Sequence, residues 1–150
     1  MSLKRFLSRH RRIAIDSCVF IYQLEGHPKY SSPAETVFEW LEQRGHTAVT
    51  STVTMIELLV QPNRQADLKR VDQIYALLTT FPNLEWIASS LEVSDLAARL
   101  RADHNLRTPD AVQAATALDA RATAIVTNDP AFERVSSIAV AVLDRFAQEV

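Results

Sequence analysis

The chain has 150 residues, enough for one domain and a sizeable core, with 47% hydrophobic and 23% charged residues, ordinary globular values. A net charge of −2 excludes an overall basic field that draws in nucleic acid, so any such contact must come from local patches. Cys18 is the only cysteine, which excludes an internal disulfide and fits a reducing compartment.

The N-terminus is basic, with Lys4, Arg5, Arg9, Arg11 and Arg12. It lacks the apolar core of a secretory signal, and no apolar stretch is long enough to cross a bilayer, so a cytoplasmic protein is expected. Residues 1–11 read as a basic lead to one domain spanning 1–150: a frayed, solvated arm, or a phosphate contact near a functional crevice. Arg64, Lys69 and Arg70 form a second basic cluster open to the same two readings.

The first strand is predicted at Arg12–Asp16. A short helix from Cys18 to Glu25 follows, stopped near Gly26. Ser32 reads as the N-cap of a helix with Pro33 in its first turn, running to about Gly45. His46–Thr50 is the second strand. Thr54–Val60 reads as a helix stopped at Pro62. Ala66–Phe81 is amphipathic, with Leu68, Val71, Ile74, Tyr75 and Leu78 on one face, which suits a core or a subunit interface. Leu84–Ala88 is the third strand and Leu91–Asp103 a helix. Thr108 is the expected N-cap of a helix reaching Arg121, with Pro109 first and Asp110 favoured by the helix dipole. Thr123–Thr127 and Ile138–Leu143 complete five strands. Alternating strands and helices predict an α/β fold with a parallel sheet between helices.

Four acids stand where an apolar run stops and a new segment begins: Asp16, Glu57, Asp110 and Asp129. Each has a local explanation. Asp16, Asp110 and Asp129 suit helix starts, and Glu57 follows Thr54 at capping-box spacing. A start nearer Ser51 or Thr52 would instead place Glu57 in a second turn, over the crevice. Caps do not explain why acids recur at the same end of so many units, where Ser or Thr would serve. In an open α/β sheet the carboxyl ends of the strands face one crevice. Carboxylates gathered there repel by roughly 4 kcal/mol per pair about 4 Å apart at an effective dielectric near 20, and a divalent cation relieves that repulsion. Oxygen ligands suit Mg²⁺ or Mn²⁺, which also acidifies bound water and screens a phosphodiester. His10, His27, His46 and His104 lack zinc-ligand spacing and read as surface or packing residues. Ser17, Thr127 and Asn128 flank two of the acids, either to orient a carboxylate or a water or to satisfy local backbone groups. Two glycines, Gly26 and Gly45, cannot build a dinucleotide fingerprint or a P-loop. A haloacid-dehalogenase-type phosphatase needs an acid where Cys18 stands, and a receiver needs an aspartate where Ala88-Ser-Ser follows the third strand.

Asp16-Ser-Cys-Val-Phe-Ile-Tyr22, Ser51–Leu59 with Glu57, Thr108-Pro-Asp-Ala-Val-Gln-Ala-Ala-Thr-Ala117 and Val126-Thr-Asn-Asp-Pro-Ala-Phe132 together resemble the PIN-domain ribonucleases, most closely toxins of the VapC type. The resemblance spans about Ile13 to Leu143. It implies a three-layer α/β/α sandwich on a central parallel five-stranded sheet. It also implies Mg²⁺- or Mn²⁺-dependent endonucleolytic cleavage of RNA, in a homodimer held inactive by an antitoxin partner. Carried over by motif, Asp16, Glu57, Asp110 and Asp129 are the metal-proximal catalytic acids and Thr127 the supporting hydroxyl. The chain differs from the family in its basic lead. A non-toxin RNA-processing PIN protein and a catalytically silent PIN-like binding module stand as alternatives.

Overall fold

The computed structural model describes residues 1–147. Its five strands are β1 (Arg12–Ile15), β2 (Thr47–Ser51), β3 (Leu84–Ile87), β4 (Ala124–Thr127) and β5 (Ala139–Val142). They form one sheet in the order β3-β2-β1-β4-β5, every neighbouring pair parallel. The helices are α1 (Leu3–Leu7), α2 (Ser17–Glu25), α3 (Ser31–Glu42), α4 (Thr52–Arg64), α5 (Leu68–Thr79), α6 (Leu91–His104) and α7 (Thr108–Asp119).

Side-chain alternation along the strands divides the interior into two cores. Ile13 and Ile15 of β1 face one side with Ala124 and Val126 of β4, where α1, α2, α3 and α5 cover them. Ala14, Val49 and Ile125 face the other side, under α6 and α7. Strands so short and apolar on both faces are stable only when covered twice, which makes this the expected three-layer sandwich. Alanines carry α7 onto the sheet: Ala111, Ala114, Ala115 and Ala117 are buried, and their small side chains allow close approach.

Several boundaries depart from the sequence reading. The basic lead is not a frayed arm. Ser2 caps α1, and Leu3, Phe6 and Leu7 bury themselves in the larger core. Apolar residues at positions 3, 6 and 7 form one helical face, a signal masked by the surrounding charge. The α3 helix starts after Tyr30 without a side-chain cap and ends at Glu42, so Gly45 (φ +87°) turns the chain into β2 instead of closing the helix. Gly26 does close α2, in the left-handed conformation.

Pro62 does not stop α4. It sits buried near the helix end, where it removes one intrahelical bond, and Asn63 Nδ2 donates 2.8 Å to the neighbouring Leu59 carbonyl. Asp67 caps α5, whose predicted apolar face is only partly used: Ile74 and Leu78 are buried, Leu68 and Tyr75 exposed. Thr108 is the first residue of α7, and Arg107 occupies the capping position without a side-chain cap bond.

Candidate active site

The chain runs β1, α2, α3, β2 to one side of β1, then returns to β4 on its other side. The strand order therefore reverses between β1 and β4, and a crevice opens at their carboxyl ends. Asp16 follows β1 directly and Thr127 ends β4. Their side chains meet across the switch point: Thr127 Oγ1 donates 2.8 Å to Asp16 Oδ2. Thr127 Oγ1 in turn accepts the Asp129 N–H at 3.0 Å, so one buried hydroxyl ties both aspartates to the end of β4.

The capping explanation and the shared-site explanation hold together. Asp16 Oδ1 accepts the Ser17 N–H at 2.8 Å as it opens α2. Asp129 Oδ1 accepts the Ala131 N–H at 2.9 Å as it opens the 3₁₀ turn Pro130–Arg134. Asp129 Oδ2 has no protein hydrogen bond among the described residues.

Glu57 reaches the same place because α4 starts earlier than its Thr54 suggested. Ser51 is the cap, its hydroxyl accepting the Val53 N–H, and Glu57 stands in the second turn. There its Oε2 accepts a short hydrogen bond from Ser17 Oγ. Thr54 is instead part of a buried polar network below the crevice. Its Oγ1 lies 2.7 Å from Thr50 Oγ1 and accepts Gln113 Nε2 at 2.5 Å. Gln113 Oε1 accepts the Ser51 N–H at 3.2 Å, and Thr50 Oγ1 donates 2.8 Å to the Ile15 carbonyl. This network joins β1, β2, α4 and α7, and it holds the first turns of α7 beside the carboxyl end of β2. Asp110, one turn before Gln113, is thereby brought to the crevice, almost fully buried.

Electrostatics confirm the convergence. Asp16 is 8% exposed, and its carboxyl is pushed up from 3.8 to about 6. Burial is the largest cause, and the fields of Asp110 and Glu57 add to it, against the lowering effect of the Thr127 and Ser17 hydrogen bonds. Cys18, beside Asp16, has its thiol raised by burial and by that carboxylate, the opposite of an activated nucleophile. Asp129 joins the same field at Arg107, whose guanidinium is raised first by its hydrogen bond to Asp110 and further by Asp110, Asp129 and Glu57.

Arg107, Gln113, Thr50 and Thr54 are the site residues that the sequence reading missed or misplaced. A lone amide among alanines in Asp-Ala-Val-Gln-Ala-Ala was the available signal for Gln113. Of the basic residues near the N-terminus, Arg12 opens β1 at the amino end of this central strand, the end opposite Asp16, where it pairs with Glu85 at 2.7 Å. Arg70 of the central cluster does share a cleft with Glu57.

The carboxylates and hydroxyls at the site offer oxygen, the set that a hard divalent cation prefers, and the Cys18 thiol 3.9 Å from Asp16 Oδ2 is held protonated. Among the described residues no three His, Cys, Asp or Glu side chains already close into a cage. An ion such as Mg²⁺ does not require one, since it keeps several waters and takes only one or two direct carboxylates. A raised carboxyl facing further acids is what such a cation relieves, so the residues present fit it.

The PIN domain family model matches residues 13–138. No curated protein matches the sequence. Among solved structures, the chain is similar to a toxin–antitoxin complex from Klebsiella pneumoniae, at 19% identity over 85% of this chain and 95% of that one, with a TM-score of 0.63. It is similar to VapBC2 from Rickettsia felis bound to a DNA fragment from their promoter (17% identity, 87% and 97% covered, TM-score 0.66). It is also similar to FitAcB from Neisseria gonorrhoeae (18% identity, 85% and 95% covered, TM-score 0.65). At these identities the likeness speaks for the fold.

Proposed function

Because the chain belongs to the PIN domain family, whose members are nucleases, we propose that it is an endoribonuclease that hydrolyses RNA phosphodiester bonds with Mg²⁺ or Mn²⁺. The observation that carries this reading is the buried Asp16 at the end of β1, joined through the Thr127 hydroxyl to Asp129 and lying within the fields of Asp110 and Glu57. Asp16, Glu57, Asp110 and Asp129 would hold the cation. When bound, it supplies positive charge against the phosphodiester and makes water more acidic. Thr127 holds the Asp16 and Asp129 ends in register, and Ser17 orients Glu57. Without a cation the crevice repels RNA, so binding as well as chemistry depends on it.

We read the protein as one cytoplasmic domain and the toxin of a toxin–antitoxin pair. A groove of about 390 Å³ between α2, α3 and α5 supports a protein partner: Phe20, Phe38 and Phe81 line it, and Glu35, Glu39 and Glu42 rim it. A segment with apolar and basic side chains, as an antitoxin would offer, complements both. The exposed Ile56 and Val60 on α4 support a homodimer face.

The test is cleavage of RNA with fragment-end sequencing. Wild type should cut with Mg²⁺ or Mn²⁺ and stop with chelator. Asp129→Asn should lose cutting by at least about 100-fold, the scale of removing one group that stabilises transition-state charge, with an unchanged circular dichroism spectrum. Cutting that survives both chelator and Asp129→Asn ends the proposal.

A further inference from the structure

Arg107 makes an ion pair unlike the others among the described residues. Its Nε lies 3.0 Å and its Nη2 3.4 Å from the two oxygens of Asp110, so both carboxylate oxygens are engaged. The acid's side chain is 9% exposed while the arginine's is 76% exposed. In the other ion pairs among the described residues, the acids Glu85, Asp144, Asp95 and Glu133 are 36–72% exposed. Arg107 is therefore a solvent-side cation laid over a buried anion, and it also feels Asp129 and Glu57.

The backbone beneath it is anchored. Arg101 donates from Nε to the Leu106 carbonyl at 2.9 Å and from Nη1 to Thr108 Oγ1 at 2.8 Å. The segment flanking Arg107 is thus tied to α6, whereas among the described residues its guanidinium is held only by Asp110. Such a side chain can leave the carboxylate by rotamer changes alone, without moving α7.

We propose that Arg107 is a built-in counterion that competes with the divalent cation for Asp110, so that metal loading displaces its guanidinium from the crevice. This deepens the metal-dependent reading above and rests on it. A guanidinium and a divalent cation need the same carboxylate oxygens and repel each other there. The pair keeps Asp110 satisfied before loading and makes loading an exchange of one positive group for another. Arg107 is accordingly a positioning residue that sets how readily the site fills.

The experiment is Mn²⁺ titration calorimetry on wild type, Arg107→Gln, Asp110→Asn and the double variant, in one buffer at fixed ionic strength. The Arg107 side chain is exposed and, among the described residues, bonds only to Asp110, so its replacement should leave the fold intact, checked by circular dichroism. Arg107→Gln should bind Mn²⁺ roughly three- to thirtyfold more tightly, the scale of a charge-assisted pair lost from the competing state. In the Asp110→Asn background the same change should have little effect. A second readout is the Arg107 Nε–H signal by NMR under Mg²⁺: its exchange with water should accelerate as the metal saturates. Equal Mn²⁺ affinity in wild type and Arg107→Gln overturns the proposal while the metal site stands. So does an Arg107→Gln gain that persists unchanged without the Asp110 carboxylate, or an Nε–H unaffected by saturating Mg²⁺. No Mn²⁺ binding by wild type or Arg107→Gln at millimolar metal removes the metal reading and this inference with it.

Discussion

Replacing Asp16 by Asn should make the metal-free protein more stable at neutral pH. The Asp16 carboxyl ionises near 3.8 in the unfolded chain and at about 6 in the folded one. Its folded pKa is raised, so the folded state binds the proton more tightly, and stability falls as pH rises from about 4 to beyond 6. At 1.36 kcal/mol per pKa unit, the loss is about 3 kcal/mol by pH 7.5. Asn is nearly isosteric and caps a helix about as well as Asp, so the Ser17 N–H keeps a partner. With the amide oxygen on the Ser17 N–H, the amide nitrogen takes the place of Oδ2 and donates to Thr127 Oγ1, so the Thr127 hydroxyl loses its acceptor, which offsets roughly 1–2 kcal/mol of the gain. In chelator, urea unfolding should show Asp16→Asn stabler than wild type by about 1–2 kcal/mol at pH 7.5, with the advantage gone by pH 4. Added Mn²⁺ should reverse the order, since wild type gains about 2.7 kcal/mol at a hundredfold excess over its dissociation constant and the variant gains less. Stability profiles that run parallel between pH 4 and 8 would refute the buried, strained carboxyl, and with it the account of why the crevice needs a cation.

Other substitutions probe the supports of the site. Thr127→Val keeps the shape but removes the hydroxyl that serves both Asp16 and Asp129; denaturant titration should show a loss of about 1–3 kcal/mol, and RNA cleavage should fall with it. Leu7 is fully buried in the larger core, so Leu7→Ala should cost about 2–5 kcal/mol in the same assay; a change within error would return the lead to the status of a loose arm.

The groups most informative about the site were only half legible from the chain. Asp16 and Asp129 could be recognised because Asp16 follows its apolar strand directly and Asp129 stands two residues beyond its own, and a strand's end in a parallel sheet faces the crevice whatever the rest of the chain does. Glu57 was ambiguous because Thr54 and Ser51 are both plausible caps, and the choice depends on Thr54 being drawn into the interior by Thr50 and Gln113. No local pattern marks Arg107, since nothing in the sequence shows that the acid three residues later is buried.

Alternation of short apolar runs with amphipathic helices, and the acids at their junctions, was determined by the sequence alone, because periodicity and capping act over a few residues. Which strands adjoin was decided only by the fold. The crossing that sets β4 against β1 brings Thr127 to Asp16, residues more than a hundred positions apart, and no local pattern encodes that meeting. The depth of Asp16, the clasp of Arg107 on Asp110 and the docking of α1 follow from the same cause. Burial and charge proximity are properties of packed neighbours, and the neighbours come from distant parts of the chain.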